Sequence, residues 1–341
     1  MTAIQDYLDR LVAGEDLDAS QAYHAFSAVM DGQANDVELA SLLTAIRIKR
    51  EAVSEIVGAA RAMQERATPI CTTTRGLLDT CGTGGDQLQT FNISTATAFV
   101  VAACGVPIAK HGNRGVSSIS GSPDVLEQLG VNNTLSPEAV ARCVDELGIG
   151  FCFAPLFHSA MKHAAPVRKQ LRFRTIFNLL GPLTNPARAE FQLLGTGRVE
   201  TAGRLARALA ELGRKHAYVV CGADQLDEVS LWGTTTAFEV KGGHVAEHHW
   251  TADTFGLPEC HVSQLRIDSP AESAAVLRAV FEGQPGPHRN IVLANAAAGL
   301  LAAQAATDPR DAVERAAQAI ASGKVRDLVP RLAELTTRLK G

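Results

Sequence analysis

The fold of this chain is decided between Asp79 and Gly130, in the stretch DTCGTGGDQLQTFNISTATAFVVAACGVPIAKHGNRGVSSISGSPDVLEQLG. Two glycine-rich loops lie in it, and each leads into a helical segment. The first is Cys81-Gly82-Thr83-Gly84-Gly85-Asp86, which continues through Thr90 to Asn92-Ile93-Ser94-Thr95. The small-residue run from Ala96 to Cys104 then reads as a buried helix. The second loop runs from Lys110 through His111, Gly112, Asn113, Arg114, Gly115, Val116, Ser117 and Ser118 to Ser122. Pro123 suits a first helical position, with Ser122 as its N-cap. Between the loops, Val106 to Ala109 reads as a short buried strand that sets both at one sheet edge.

This pattern suits anion binding. A helix N-terminus offers unpaired N–H groups and a partial positive charge, and glycine lets a phosphate approach the backbone. Thr90, Ser94, Thr95, Ser117, Ser118 and Ser122 add hydroxyls, and Lys110 and Arg114 add charge. Loops of Gly, Ser, Thr and Asn also form plain turns. Two of this density, with basic residues in the second, favour a ligand carrying two separate phosphate groups. Neither is a P-loop, because no Gly-Lys-Ser/Thr follows, and Leu88 stands where GxGxxG needs its third glycine.

Working outward, the chain has 341 residues, enough for one or two domains with ample core. It is 46% hydrophobic and 20% charged, with a formal charge of −4, which argues against a nucleic-acid surface. The seven cysteines are scattered and never in CxxC spacing, as expected for reduced thiols in the cytoplasm. No signal-peptide pattern or membrane-length apolar run is visible, so no membrane partner is expected.

Before the first loop, residues 2–67 show four amphipathic periods, with Ser20, Asn35 and Ser54 as expected caps of the second to fourth helices. Lys49-Arg50-Glu51 reads as a solvated connection. From Leu77 the pattern changes to short apolar strands alternating with helices: Leu77-Leu78, Val106 to Ala109, Phe151 to Phe153, Ala217 to Cys221. The fold class is α/β: a small all-helical domain plus a larger domain with a central, mostly parallel sheet flanked by helices. Ligands of such sheets sit beyond the carboxyl ends of the strands, where both glycine loops fall.

Residues 154–186 break the rhythm with Pro155, Pro166, Pro182 and Pro186, and are locally basic around Arg168, Lys169, Arg172 and Arg174. His158 and His163, five apart, lack metal spacing. Asp227 and Glu228 follow the strand ending at Cys221, where Mg²⁺ bound to phosphates would find carboxylates; an exposed acidic turn is the plainer alternative. Thr234 to Val240 and His244 to Trp250 read as a hairpin. His244, His248 and His249 are poor zinc ligands in that alternation.

At full length the chain resembles the anthranilate phosphoribosyltransferase family. The resemblance rests on GTGGD (82–86), TFNIST (90–95), KHGNR-x-VSS (110–118), SGSPDVLEQLG (120–130), PVRKQL-x-x-RTIFNLLGPLTNP (166–186) and LDEVS (226–230). It implies transfer of phosphoribosyl from 5-phosphoribosyl 1-diphosphate (PRPP) to the amine of anthranilate, releasing diphosphate, by a homodimer. PRPP contacts would fall on Gly82, Gly85, Asp86, Thr90, Asn92, Ile93, Ser94, Thr95, the run from Lys110 to Ser118, and Ser122. Anthranilate would touch Gly82, Asn113 and Arg168. Mg²⁺, two ions per monomer, would be held at Ser94, Asp227 and Glu228. No dedicated acid or base is implied. The segment near 163–185 would join residues 1–71 as a discontinuous helical domain, leaving 72–162 and 186–341 as the α/β domain. Pyrimidine nucleoside phosphorylases and a non-enzymatic nucleic-acid-binding relative share this fold as alternatives. Gly115 departs from the family's usual serine or alanine, and Leu171-Arg172-Phe173 from its Leu-Gly-hydrophobic turn.

Overall fold

The computed structural model describes residues 4–86, 88–115 and 119–340. It opens with four helices, α1 (Gln5–Val12), α2 (Ala19–Met30), α3 (Asp36–Lys49) and α4 (Val53–Glu65). Asn35 caps α3 as expected, through a box with Glu38. The other two caps differ. Asp18, not Ser20, caps α2, and its carboxylate accepts from Gln21 N. Helix α4 begins after Ala52, whose N–H is taken by Glu55, while the Ser54 hydroxyl donates to Leu17 O. The Lys49-Arg50-Glu51 connection is not simply solvated, because Glu51 is buried and paired with Arg204.

The α/β part follows in the order β1 (Leu78–Gly82), α5 (Ile93–Ala103), β2 (Ile108–Gly112), α6 (Ser122–Gln128), α7 (Pro137–Leu147), β3 (Ile149–Phe153), α8 (Ala154–Phe157), α9 (Ala165–Leu171), α10 (Phe177–Leu180), β4 (Phe191–Gly195), α11 (Val199–Glu211), β5 (His216–Cys221), β6 (Thr235–Lys241) and β7 (His244–Trp250). Four helices close the chain: α12 (Pro270–Phe281), α13 (Pro287–Ala302), α14 (Pro309–Ala321) and α15 (Lys324–Arg338). The seven strands lie in the order β3-β2-β1-β4-β5-β6-β7; β1 to β5 pair in parallel, and β6 and β7 form the expected antiparallel hairpin at one edge. Gly242 and Gly243 turn that hairpin with positive φ at both positions, as a two-residue turn requires.

Strand β4 was not legible as a strand, yet it lies beside β1 at the centre of the sheet. Connections from β1 run outward to β2 and β3, then return across to β4 and β5. The point where that direction reverses lies between β1 and β4, where an open α/β sheet leaves a crevice. Two apolar cores flank the sheet. One includes α5, α13 and α15; the other contains α1 to α4, α11 and the segment Ala164 to Leu183. Phe26 of α2 meets Phe177 of α10 edge to face, with centroids 5.7 Å apart.

Candidate active site

The first glycine loop leaves β1 at Gly82 and reaches the N-terminus of α5; the second leaves β2 at Gly112 and reaches α6. Because β1 and β2 are parallel neighbours, both helix N-termini face the same end of the sheet. They touch there, with Thr95 Oγ1 donating to Ser122 Oγ at 3.0 Å. Asn92, the N-cap of α5, donates from Nδ2 to Ser120 O at 3.0 Å and receives Ser273 Oγ at 2.7 Å. Ser122 is the first residue of α6; its N-cap is Gly121, whose N–H is held by Asp124. Gly121 packs so closely that a Cβ there would stand 2.4 Å from Gly115 N.

The strand-end carboxylates arrive from the other side of β1. Gly82 and Gly195 pair across β1 and β4, and Asp227 lies over them. A Cβ on Gly195 would fall 1.6 Å from the Asp227 carbonyl oxygen, and one on Gly82 would fall 2.9 Å from Oδ2. Both glycines are therefore required by close approach. The Asp227 side chain lies close to the Asp86 side chain and the Gly84 backbone. Burial, then the Asp86 charge, push its carboxyl well above the usual range. Burial and neighbouring Asp227 raise Glu228 likewise, while Lys110 and a hydrogen bond from Ser94 oppose the rise. Lys110 is buried, with its ammonium between Thr80 O and Ser94 Oγ, the latter at 3.1 Å. Ser94 thus joins the basic strand end to the acidic pair.

This cluster has more negative charge than it can neutralise. Its donors are all oxygens, which fits a hard divalent cation. Among the described residues no three His, Cys, Asp or Glu side chains are arranged to cage a metal by themselves. Two carboxylates and a hydroxyl suit an ion that takes its remaining oxygens from water or from a phosphate-bearing ligand.

Behind the second loop is a buried polar layer that sequence reasoning missed. Asp79 accepts from His111 N at 3.0 Å and from Asn185 Nδ2 at 2.8 Å, and the same Nδ2 reaches Ala109 O at 2.8 Å. His111 Nδ1 stands 2.9 Å from Gly181 O, so that nitrogen carries the proton; its Nε2 then accepts from His158 Nε2 at 3.2 Å. The His111 side chain is therefore committed to the segment entering β4, and only its backbone faces the loop. A polar residue after a strand carries no sequence signal for such a pairing.

The remaining candidates are placed as follows. Arg114 is bound to Asp124 and Glu127 of α6, at 2.7 and 2.6 Å. Asn113 and Gly115 are exposed on the loop, and Thr90 bridges to Arg266. Val116, Ser117 and Ser118 lie outside the described residues. Arg168, on α9, is half-buried, stacks over the Phe177 ring at 5.2 Å, and has no paired carboxylate among the described residues. Burial lowers its pKa, so its charge is incompletely solvated.

A helical bundle beside an α/β domain whose glycine loops and carboxylates meet at the sheet crevice defines a transferase for phosphorylated sugars. The model of the "Glycosyl transferase family, a/b domain" matches residues 74–326, and that of the "Glycosyl transferase family, helical bundle domain" matches residues 5–67. The chain is 48% identical over 333 residues to the anthranilate phosphoribosyltransferase of Symbiobacterium thermophilum, covering 98% of each. It superposes on the anthranilate phosphoribosyltransferase of Thermus thermophilus with a TM-score of 0.92 at 40% identity, covering 98% of this chain and 100% of that one. The Saccharomyces cerevisiae enzyme in complex with PRPP and Mg follows at a TM-score of 0.91 and 27% identity, covering 98% of both. The chain belongs to the anthranilate phosphoribosyltransferase family.

Proposed function

We propose that this chain transfers the phosphoribosyl group of PRPP to the amine of anthranilate, giving N-(5-phosphoribosyl)anthranilate and diphosphate. The observation that carries the reading is the meeting of two helix N-termini, joined at Thr95 and Ser122, beside the Asp227–Glu228 pair. A ligand with separate phosphate groups fits two anion sites and an acidic, cation-demanding patch. The ribose C1 develops oxocarbenium character as diphosphate leaves. The protein's work is then to hold the leaving group, balance its charge and aim the amine. The N–H groups at the start of α5, with Asn92, Ser94 and Thr95, and those of the second loop, with Ser122, bind and orient phosphate oxygens. Gly82 and Gly85 let the sugar diphosphate approach the backbone.

The neutral anthranilate amine is already nucleophilic, so no side chain needs to take its proton in advance. Arg168 presents a planar fork that pairs with both oxygens of the acceptor carboxylate, with Asn113 and Gly82 completing that pocket. Ser94, Asp227 and Glu228 would hold Mg²⁺, at two ions per monomer, which when bound would supply positive charge toward the leaving diphosphate. Residues 163–185 move with the helical domain. The enzyme works in the cytoplasm as a homodimer through the helical domain, where Val12, Val37 and Ile48 expose apolar side chains.

The direct test is incubation with PRPP, Mg²⁺ and anthranilate while anthranilate fluorescence is followed. Loss of fluorescence that requires all three components supports the reading. A folded protein that leaves the fluorescence unchanged would overturn it. A monomer by light scattering at micromolar concentration would remove the dimer.

A further inference from the structure

We infer that Arg174 is a positioning residue that couples the helical domain to the Asp227 carboxylate through the first glycine loop. The inference rests on the phosphoribosyl-transfer reading and goes beyond it. Arg174 Nη2 donates to Thr83 O at 2.8 Å. Thr83 is held on its other side, its N–H donating to Gly195 O at 2.9 Å. On the other side of Thr83, Gly82 abuts the Asp227 carboxylate, since a Cβ there would stand 2.9 Å from Oδ2. The arginine's anchor and the glycine that the carboxylate abuts are therefore adjacent residues of the loop. Arg174 also lies within the electrostatic reach of Asp227.

The base of the arginine is fixed independently of the loop. Arg172, with φ of +56°, ends α9 two residues earlier. Thr175 is buried, its N–H taken by Asn178 Oδ1 at 2.9 Å, and Ile176 and Phe177 are buried in the helical core. The guanidinium is thus a short lever whose root moves with the helical domain and whose tip grips a glycine-rich loop. Such a loop has little else to fix it: Gly84 and Gly85 both have positive φ. Arg47 of α3 and Arg198, before α11, repel the Arg174 charge, and Asp227 attracts it. When the helical domain sits in place, Arg174 sets Thr83, and the loop backbone around Thr83 sets Asp227. When it swings away, the grip on Asp227 loosens.

The test uses full-length Arg174→Ala and Arg174→Lys proteins. Calorimetry with PRPP and Mg²⁺, without acceptor, is combined with steady-state kinetics for both substrates. Arg174→Ala should weaken PRPP–Mg²⁺ binding and raise the KM for PRPP about tenfold or more, the scale of losing a charged hydrogen bond. The KM for anthranilate should change less than about threefold and the melting temperature should stay level. Lysine keeps the charge and reaches the same carbonyl, so Arg174→Lys should recover much of the loss. If the anthranilate KM rises instead, Arg174 is an acceptor contact and the inference fails. Unchanged PRPP binding, or a loss matched by a fall in melting temperature that lysine does not rescue, also overturns it. Should the parent itself fail to bind PRPP with Mg²⁺, the underlying functional reading fails, an outcome distinct from all of these.

Discussion

Acid should loosen the second loop through the buried His111–His158 pair. Both side chains are nearly inaccessible, at 6% and 5% exposure. Burial holds His111 near a pKa of about 3 and His158 near about 4, against an ordinary 6.5. The sign follows from which state binds the proton. Between pH 6.5 and 4 the unfolded chain protonates both rings while the folded chain keeps them neutral. Stability is therefore full above 6.5 and falls as pH drops. Lowering pH from 7.5 to 5.5 costs on the order of 1 kcal/mol per histidine, hence roughly 2–3 kcal/mol for the pair. Chemical denaturation of the parent and of a His111→Gln, His158→Gln double mutant at both pH values measures this. The double mutant is expected to be less stable at pH 7.5 but to lose roughly 2–3 kcal/mol less than the parent on acidification. Identical pH dependence in the two proteins would refute the reasoning, because other groups would then account for the acid sensitivity.

Three further outcomes are expected. Asp227→Ala combined with Glu228→Ala should keep the circular dichroism spectrum while lowering kcat by at least ~10²-fold and blunting the response to added Mg²⁺; an intact rate would return the pair to a plain acidic turn. Arg168→Ala should weaken acceptor use by about 2–5 kcal/mol in kcat/KM with PRPP affinity nearly unchanged by calorimetry. Arg172→Gly should raise stability by about 1 kcal/mol in denaturant melts, since a residue at φ +56° carries a left-handed penalty that glycine lacks; a lower midpoint would mean that the Arg172 side chain contributes more than its backbone costs.

The position of the glycine loops was legible because each stands between a short apolar strand and a helical segment, and in a parallel sheet that order puts both at the carboxyl ends of the strands. The strand-end place of Asp227 and Glu228 was legible for a similar reason, since they follow the strand that ends at Cys221. The structure adds Asp86 to that cluster, a contact between residues far apart in sequence that no local pattern announces. Strand β4, Phe191-Gln192-Leu193-Leu194-Gly195, escaped because all five residues are buried without polar–apolar alternation, and so short a stretch cannot be told from a buried helix segment. The Ser20, Ser54 and Ser122 caps were misplaced by one or two positions because an acidic or amide side chain three residues into each helix satisfied the free N–H of an earlier residue. Arg174 stood among four basic residues of one segment, and sequence offered no means of separating the one that grips a carbonyl from those that face water.

The path of the chain through the helical domain bears on how the protein is made. Helices α1 to α4 are complete by Glu65, but Ile176, Phe177, Leu180 and Leu183, which share their core, emerge more than a hundred residues later. At a ribosomal pace of about 5–20 residues per second, that gap lasts on the order of 10 seconds. Throughout it, Phe26 lacks the ring of Phe177 that meets it edge to face in the folded chain. Intervening synthesis delivers β1 to β3 and their helices, so the sheet begins to assemble before the domain that started first can finish. The nascent chain is therefore most open to misassociation and chaperone capture at its N-terminal end, until the second visit closes it.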